Sequence, residues 1–145
     1  MNQRLGSAHE LVDAWELPPA VGYSPAVVAA PGRQVFLGGQ AAQDRDGRIV
    51  GSTVTEQFDV AATNMLTALR AAGGAPEDVV SLLIYVTDVR QYRNSSRAIA
   101  PLYRRHFGRH YPAITMLGVS ELFDEGALIE LVGTAVIPDR APGAT

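Results

Sequence analysis

The stretch TVTEQFDVAATNMLTALRAAGGAPEDVVSLLIYVTDV, residues 53–89, decides the fold because it predicts a helix followed closely by a buried strand. Thr53 and Glu56 have the spacing of a capping box, in which each side chain bonds the backbone N–H of the other residue. Apolar residues then recur every three or four positions, which is typical of a helix that lies on a core. The members of this stripe are Phe58, Ala61, Ala62, Met65, Leu66, Leu69 and Ala72.

The end of this helix and the start of the strand are also marked in the sequence. Gly73-Gly74 supplies a left-handed stop, and Pro76 prevents the helix from continuing. Residues 79–89 are rich in β-branched and aromatic side chains, which favour a strand. The helix stripe therefore has an apolar sheet on which it can pack.

Shorter elements precede this unit. Residues 26–30 and 34–37 flank the Pro31-Gly32 turn, and this pattern predicts a β-hairpin. Gly38-Gly39-Gln40 ends its second strand, and Asp44–Gly47 forms another tight turn.

Three more elements follow the unit. A second helix is predicted within Gln91–Phe107, and Pro101 inside it should delay or kink it. Two final strands run through Ala113–Val119 and Ala127–Ile137, joined by an acidic turn at residues 123–126. The inward-facing residues of the second helix are Ile99, Leu102, Tyr103 and Phe107.

This order predicts an α+β chain with both helices on one face of the sheet. Side chains alternate along the last strand, and both of its faces are largely apolar. Helices cover only one face, so we expect a partner copy on the other, although the pattern does not set the number of subunits. We read residues 1–145 as one domain with its core at about 19–138, and residues 1–18 and 139–145 as tails.

Composition excludes several classes of protein. The chain has 145 residues, no cysteine and a net charge of −3, so disulfides and thiolate sites are excluded. Neither a membrane span nor a signal peptide is predicted, so we expect a cytoplasmic protein. A phosphate-binding surface needs clustered cations, and the basic residues of Arg104–His110 do not share one helix face. We therefore expect no nucleic-acid partner.

Six short segments, in order along residues 20–137, carry a family resemblance. They are Val21-Gly22-Tyr23-Ser24-Pro25-Ala26-Val27, Leu37-Gly38-Gly39-Gln40, AAGGAPEDVV at residues 71–80, Tyr85-Val86-Thr87-Asp88, Tyr111-Pro112-Ala113 and Ile129-Glu130. Together they resemble the RidA/YjgF family, whose members include proteins described as L-PSP endoribonuclease-like.

The resemblance implies a chorismate-mutase-like α+β fold with a mixed sheet, and a homotrimer that forms a barrel with clefts between neighbouring subunits. The best-known members of the family hydrolyse 2-aminoacrylate-type enamines and imines to 2-oxo acids and ammonia. In that chemistry an arginine pairs with the substrate carboxylate and a glutamate positions the attacking water, while a tyrosine and a Ser-Gly turn line the cleft.

Carried onto this sequence, the glutamate is Glu130, the tyrosine is Tyr23 and the arginine position is Ile114. Isoleucine cannot bind a carboxylate, so this is a departure from the family pattern. Gly38 stands where the family often has serine, and Met116 stands near a position often held by cysteine.

Other residues complete the candidate site. Gly39 could offer a backbone N–H, Thr115 offers a hydroxyl, and Arg97 aligns with a family asparagine and could replace the missing anchor. A purely structural interpretation is also open for several of these candidates. Tyr23 could be an aromatic residue packed in a strand, the glycines could simply form a turn, and Arg97 could be a solvent-exposed helix residue. The alternative for Glu130, which we favour less than a ligand- or water-binding role, is an interface carboxylate satisfied by a neighbouring subunit.

No metal or cofactor is predicted. His106 and His110 have the i,i+4 spacing of some zinc sites, but no glutamate lies between them and the helix is ending there. Three functions remain as hypotheses. The first is an imine or enamine hydrolase acting on a substrate other than 2-aminoacrylate, with Glu130 as catalytic residue. The second is a non-catalytic trimer that binds a small molecule, and the third, which the acidic composition disfavours, is RNA cleavage.

Overall fold

The last strand, Ile129–Pro138 (β7), is the strand on which the sheet is assembled in the computed structural model, which describes residues 6–139. The elements before it in chain order are β1 (Glu10–Val12), β2 (Ala26–Val28), β3 (Gly32–Phe36), β4 (Gln40–Ala41), α1 (Val54–Ala71), a 3-10 turn (Pro76–Asp78), β5 (Val79–Val86), α2 (Val89–Asn94), α3 (Ser96–Phe107) and β6 (Ala113–Gly118).

The main sheet is mixed, as expected for this fold. Its order is β3-β7-β5-β6, with β7 antiparallel to both neighbours and β6 parallel to β5. β4 also pairs with β7, on the same edge as β3. Between them the N–H of Leu37 donates to the carbonyl of Gly133 at 2.9 Å. β3 and β4 are thus two parts of one edge strand that is interrupted at Gly38-Gly39.

Helix α1 forms the core against this sheet, as its apolar stripe predicts. The predicted capping box is confirmed, because Thr53 accepts from the N–H of Glu56 and the Glu56 side chain accepts from the N–H of Thr53. Gly73 has φ +91°, the left-handed conformation that ends the helix. The fully buried large side chains that α1 and the sheet share include Phe58, Met65, Leu66, Leu69, Leu82, Ile129 and Leu131.

No helix within residues 6–139 is long and apolar enough to cross a membrane.

The second predicted helix is two helices. The division between α2 and α3 falls at Ser95, and α3 runs through Pro101. The side chain of Asp88 caps α2 by accepting from the N–H of Gln91 at 2.9 Å, so a helix begins earlier than the sequence predicts. The predicted inward stripe of α3 is confirmed, since Ile99, Tyr103 and Phe107 are buried and Leu102 is half-buried.

Two predictions about the N-terminal part are wrong. β2 does not form a hairpin with β3; it pairs with β1, while β3 pairs with β7. The predicted tail at residues 1–18 contains β1, and His9 fastens this segment to the sheet. His9 Nδ1 accepts from the N–H of Ala30 at 3.0 Å, and its Nε2 bonds the carbonyl of Val136 at 2.9 Å. Residues 1–5 and 140–145 lie outside the described part of the chain.

The face of the sheet opposite the helices carries apolar side chains that remain partly open. On β7, Ile129 and Leu131 are buried toward the helices, so the alternate residue Val132 points to the other face and is half-buried. Cross-strand pairing places Phe36 and Leu117 on that face as well, with 74% and 40% of their surface exposed. This surface is where the sequence predicts a partner copy.

A buried histidine makes the stability of the fold depend on pH. The Nε2 atom of His110 bonds the carbonyl of Val79 at 2.7 Å, and the hydroxyl of Tyr103 donates to the carbonyl of His110 at 2.7 Å. Burial lowers the pKa of His110 from its usual value of 6.5, against the opposing effect of the bond to Val79.

Below about pH 6.5 the unfolded chain therefore binds more protons than the folded chain at this position, and the free energy of unfolding decreases as the pH falls. In urea unfolding between pH 8 and pH 5, we expect His110→Gln to flatten this decrease. An unchanged slope in the variant would show that His110 is not the group responsible.

Candidate functional site

Glu130 is the second residue of β7 and lies on the face opposite the helices. Its cross-strand neighbours are Ala41 on β4 and Tyr85 on β5. The side chain is half-buried, and its carboxylate has no hydrogen-bond or ion-pair partner among residues 6–139. A partly desolvated carboxylate without a partner is unusual, because burial of a charge is costly unless it is paired. Glu130 is thus free to bind a ligand or a water molecule.

The backbone of Gly39 forms one wall around this carboxylate. A Cβ atom placed on Gly39 would lie 2.0 Å from Oε1 of Glu130 and 2.9 Å from its Cδ, which no side chain can occupy without moving Glu130. Gly38-Gly39 is the point where β3 and β4 are interrupted, and glycine there lets the chain approach a neighbouring side chain closely. The structure brings together Gly39 and Glu130.

A residue that the sequence analysis missed holds the chain just before Glu130. Gln57 of α1 is 1% exposed, and its Nε2 donates to the carbonyls of Gly51 and Gly126, both at 3.0 Å. Its Oε1 accepts from the N–H of Leu128 at 2.8 Å. The signal was present in the sequence, because Gln57 is a polar residue at a position adjoining the apolar stripe of α1. Gln57 fixes the segment that leads into β7.

Tyr23 lies in another part of the subunit. Its loop is fastened by Ser24, whose N–H donates to the carbonyl of Pro112 at 3.0 Å and whose Oγ donates to the carbonyl of Tyr111 at 2.6 Å. This anchor is at the start of β6, level with Ser81 of β5, whereas Glu130 is level with Tyr85. Four residues of strand separate these levels by about 13 Å. The side chain of Tyr23 is 41% exposed.

The candidates on β6 divide between the two faces of the sheet. Ile114 and Met116 are level with Leu82 and Ile84 of β5 and pack on the core beneath the helices. Thr115 points to the other face, the face of Glu130, and is exposed. Ile114 and Glu130 of one subunit therefore lie on opposite faces of the sheet and cannot contact the same ligand.

Arg97 is in the first turn of α3, in the helix layer. It is exposed and has no hydrogen-bond or ion-pair partner within residues 6–139. Gly38 is also exposed, at the interruption of the edge strand. Within one subunit, Gly38, Gly39 and Glu130 therefore lie together, whereas Arg97 lies in the helix layer.

The histidines of α3 and the following turn have separate structural roles. His106 Nε2 lies 2.7 Å from Oδ1 of Asp59 on α1, which Arg105 also contacts, whereas His110 bonds the backbone of Val79. Burial raises the pKa of Asp59, but the bonds from His106 and Arg105 outweigh this effect and lower it overall. Within the described part of the chain, no three His, Asp or Glu side chains are grouped as metal ligands would be.

Comparison with known proteins agrees with the fold and the order of these elements. A sequence model described as Endoribonuclease L-PSP matches residues 14–137. The chain belongs to the RidA/YjgF family. The Rid family protein YyfB from Yersinia pestis has a similar structure, with a TM-score of 0.80 and 30% identity, covering 89% of this chain and 98% of that one.

Two relatives of known sequence illustrate the breadth of the family. The human 2-iminobutanoate/2-iminopropanoate deaminase is 28% identical over 128 residues, which are 87% of this chain and 88% of that protein. A RutC family protein from Pyrococcus abyssi is 29% identical over 130 residues, covering 88% of this chain and 97% of that protein.

Replacement of Gln57 tests whether it holds the segment before Glu130. Gln57→Leu would keep the volume but leave buried polar groups of Gly51, Gly126 and Leu128 without partners. We expect a loss of about 3 kcal/mol or more in the free energy of unfolding, measured by urea denaturation. Thr63→Val, an exposed change on the same helix, is the control and should cost much less. Equal stability of the two variants would contradict this role for Gln57.

Proposed function

We propose that this RidA/YjgF protein is a homotrimeric imine or enamine hydrolase, a deaminase that acts in clefts between subunits on substrates without a carboxylate. The observation that carries this proposal is the half-buried Glu130 carboxylate, which has no partner in residues 6–139 and lies against the bare backbone of Gly39. The similarity to the human 2-iminobutanoate/2-iminopropanoate deaminase, at 28% identity, supports the reaction class.

The positions of the candidate residues favour a cleft that two subunits share. Glu130 and Gly39 lie on one face of the sheet, while Ile114 and Met116 lie on the other and Arg97 is in the helix layer. A ligand can contact both groups only if they come from different copies. The apolar face around Glu130 gives a second copy a surface to cover.

The reaction we propose is the addition of water to a C=N bond. The Glu130 carboxylate takes a proton from a water molecule as the water oxygen bonds to the imine carbon, and the imine nitrogen takes up a proton from solvent. The carboxylic acid then protonates the amine nitrogen of this adduct and the C–N bond breaks. A carbonyl compound and ammonia leave, the hydroxyl proton returns to solvent, and Glu130 is a carboxylate again.

A neutral substrate fits the chain better than a 2-imino acid. A carboxylate is held most tightly by the two parallel N–H groups of an arginine, and Ile114 offers no donor at the position where the family resemblance expects one. Ile114 and Met116 also pack on the core, so they make their side of the sheet apolar. We therefore expect hydrolysis of apolar imines to exceed hydrolysis of 2-iminobutanoate or 2-iminopropanoate.

Two variants of the Glu130 region test the catalytic proposal. Glu130→Gln removes the base, so we expect kcat to fall about 100-fold or more. Gly39→Ala keeps the carboxylate but displaces it, because the new Cβ would overlap Oε1, and kcat should fall while the substrate range stays the same. Ammonia release from a panel of neutral and carboxylate-bearing imines measures both effects.

The control is Glu10→Gln, which changes an exposed carboxylate on β1 and should leave kcat unaltered. Hydrolysis no faster than in buffer for every imine, or Glu130→Gln with wild-type kcat, would refute the proposed chemistry.

A second candidate function is a trimer that binds an apolar metabolite without converting it. The apolar pair Ile114 and Met116 favours it, because both side chains are only half-buried and the part left open offers apolar contact surface but no catalytic group. A ligand of the native state raises the apparent melting temperature, so a thermal-shift screen of metabolites should find a compound that stabilises the protein and is recovered unchanged. If every stabilising compound proves to be hydrolysed, this candidate is wrong. We do not propose RNA cleavage, since His106 and His110 are each engaged within the fold.

A further inference from the structure

Glu130 is the only charged side chain that the described strands β3 to β7 place on its face of the sheet. Strand alternation puts Val132 and Thr134 beside it on β7, and Ser81 and Leu83 near it on β5. The side chains of β3, β4 and β6 that pair onto this face are also uncharged; they are Gln34, Phe36, Ala41, Ala113, Thr115 and Leu117. The sheet therefore supplies no cation that could neutralise the Glu130 carboxylate.

Tyr85 of β5 lies directly opposite Glu130 in the sheet. Opposed residues of an antiparallel pair have Cβ atoms about 4.5–5.5 Å apart, so the ring and the carboxylate stand side by side. Tyr85 is half-buried, and within residues 6–139 its hydroxyl has no hydrogen-bond partner and its ring stacks on no other ring. Leu117 of β6 is next in the same row and is 40% exposed. The row thus presents an anion, an aromatic ring and an apolar side chain in that order.

A carboxylate beside an aromatic ring is suited to bind a small organic cation. The carboxylate supplies the counter-charge, and the negative face of the ring attracts a cation within about 6 Å of its centre. Both attractions are stronger in a half-buried site than in water, because the effective dielectric constant is lower. An imine becomes such a cation when its nitrogen takes up a proton, and the carbon of the resulting iminium ion is more electrophilic than that of the free imine.

We infer that the Glu130 site binds its substrate as the iminium cation, held against the Glu130 carboxylate and the ring of Tyr85, with its apolar substituents toward Leu117. This inference rests on the proposed hydrolase function and specifies that the nitrogen is protonated before water adds. The oxygen of water bonds to the iminium carbon, the C=N electron pair moves to nitrogen, and Glu130 takes one proton from the water. Both charges are neutralised in this step. Tyr85 is a substrate-binding residue that the sequence analysis did not include in the site.

Benzamidinium tests the cation site without turnover, because it is planar like an iminium ion and stays protonated at neutral pH. In isothermal titration calorimetry with the assembled protein, we expect its Kd to rise about tenfold or more in Glu130→Gln, which removes the counter-charge. Tyr85→Leu should raise it about threefold or more, whereas Tyr85→Phe keeps the ring and should stay within about twofold of wild type. Benzamide, the uncharged analogue, should bind more weakly than benzamidinium and be insensitive to Glu130→Gln.

Turnover gives a second readout that a merely structural role of Tyr85 would not change. For the imines that the protein hydrolyses, Tyr85→Leu should raise KM about threefold or more while kcat stays near the wild-type value. If the iminium ion is the bound form, the pH above which kcat/KM falls should be higher for a more basic imine. Glu10→Gln, which changes an exposed carboxylate on β1, is the control and should leave the Kd of benzamidinium unaltered. If Tyr85→Leu fails to fold by circular dichroism, Tyr85→Met serves in its place.

Three results would overturn the inference: benzamide that binds as tightly as benzamidinium, a Kd of benzamidinium that is unchanged in Glu130→Gln or Tyr85→Leu, or a fall in kcat/KM at the same pH for every imine. Each of these can occur while Glu130-dependent hydrolysis persists, so the proposed function would stand. Conversely, if no imine is hydrolysed but benzamidinium binding depends on both Glu130 and Tyr85, the proposed chemistry is refuted and the cation site is supported.

Discussion

The alternation of side chains along β7 is the constraint on which the rest of the structure depends. This strand pairs on both edges, so it can neither rotate nor slip. Ile129, Leu131 and Gly133 are buried against the helix layer, and the residue between the first two must therefore face away from it. A shift of one residue would turn the Glu130 carboxylate into the core without a partner, at a cost of several kcal/mol, which is a large part of the stability of a small domain. The position of the acid is thus determined by its apolar neighbours.

The parts of the fold that the sequence predicts correctly are those with local causes. The capping box at Thr53 and the stop at Gly73 each depend on a few adjacent residues. The apolar stripe of α1 repeats with the helical period over several turns. The hairpin of β2 and β3 was wrong because the choice of strand partner is not local. β3 gains more by pairing with β7, about a hundred residues later, than by pairing with β2 next to it.

The candidate site shows the same division between local and distant information. Glu130 and Gly39 can each be chosen as candidate site residues from the sequence. The contact between them, however, depends on an interruption in the edge strand that no local sequence pattern predicts. The side chains of Ile114 and Thr115 point to opposite faces of the sheet, and this follows from the two-residue period of a strand. Gln57 was missed because a helix stripe is defined by its apolar residues, and Gln57 is a polar residue beside that stripe. Its burial follows from three hydrogen-bond partners that are distant in the sequence or outside the helix.

The interruption at Gly38-Gly39 has a consequence for aggregation. An unbroken edge strand offers a continuous row of unpaired backbone groups on which a foreign strand can add, the first step toward fibrils. Here that edge is divided into β3 of 5 residues and β4 of 2, with the interruption at Gly38-Gly39 between them. A foreign strand could therefore form backbone hydrogen bonds with this edge over only a short length. The interruption at Gly38-Gly39, where Gly39 makes room for the Glu130 carboxylate, therefore also protects this edge of the sheet from the addition of a foreign strand.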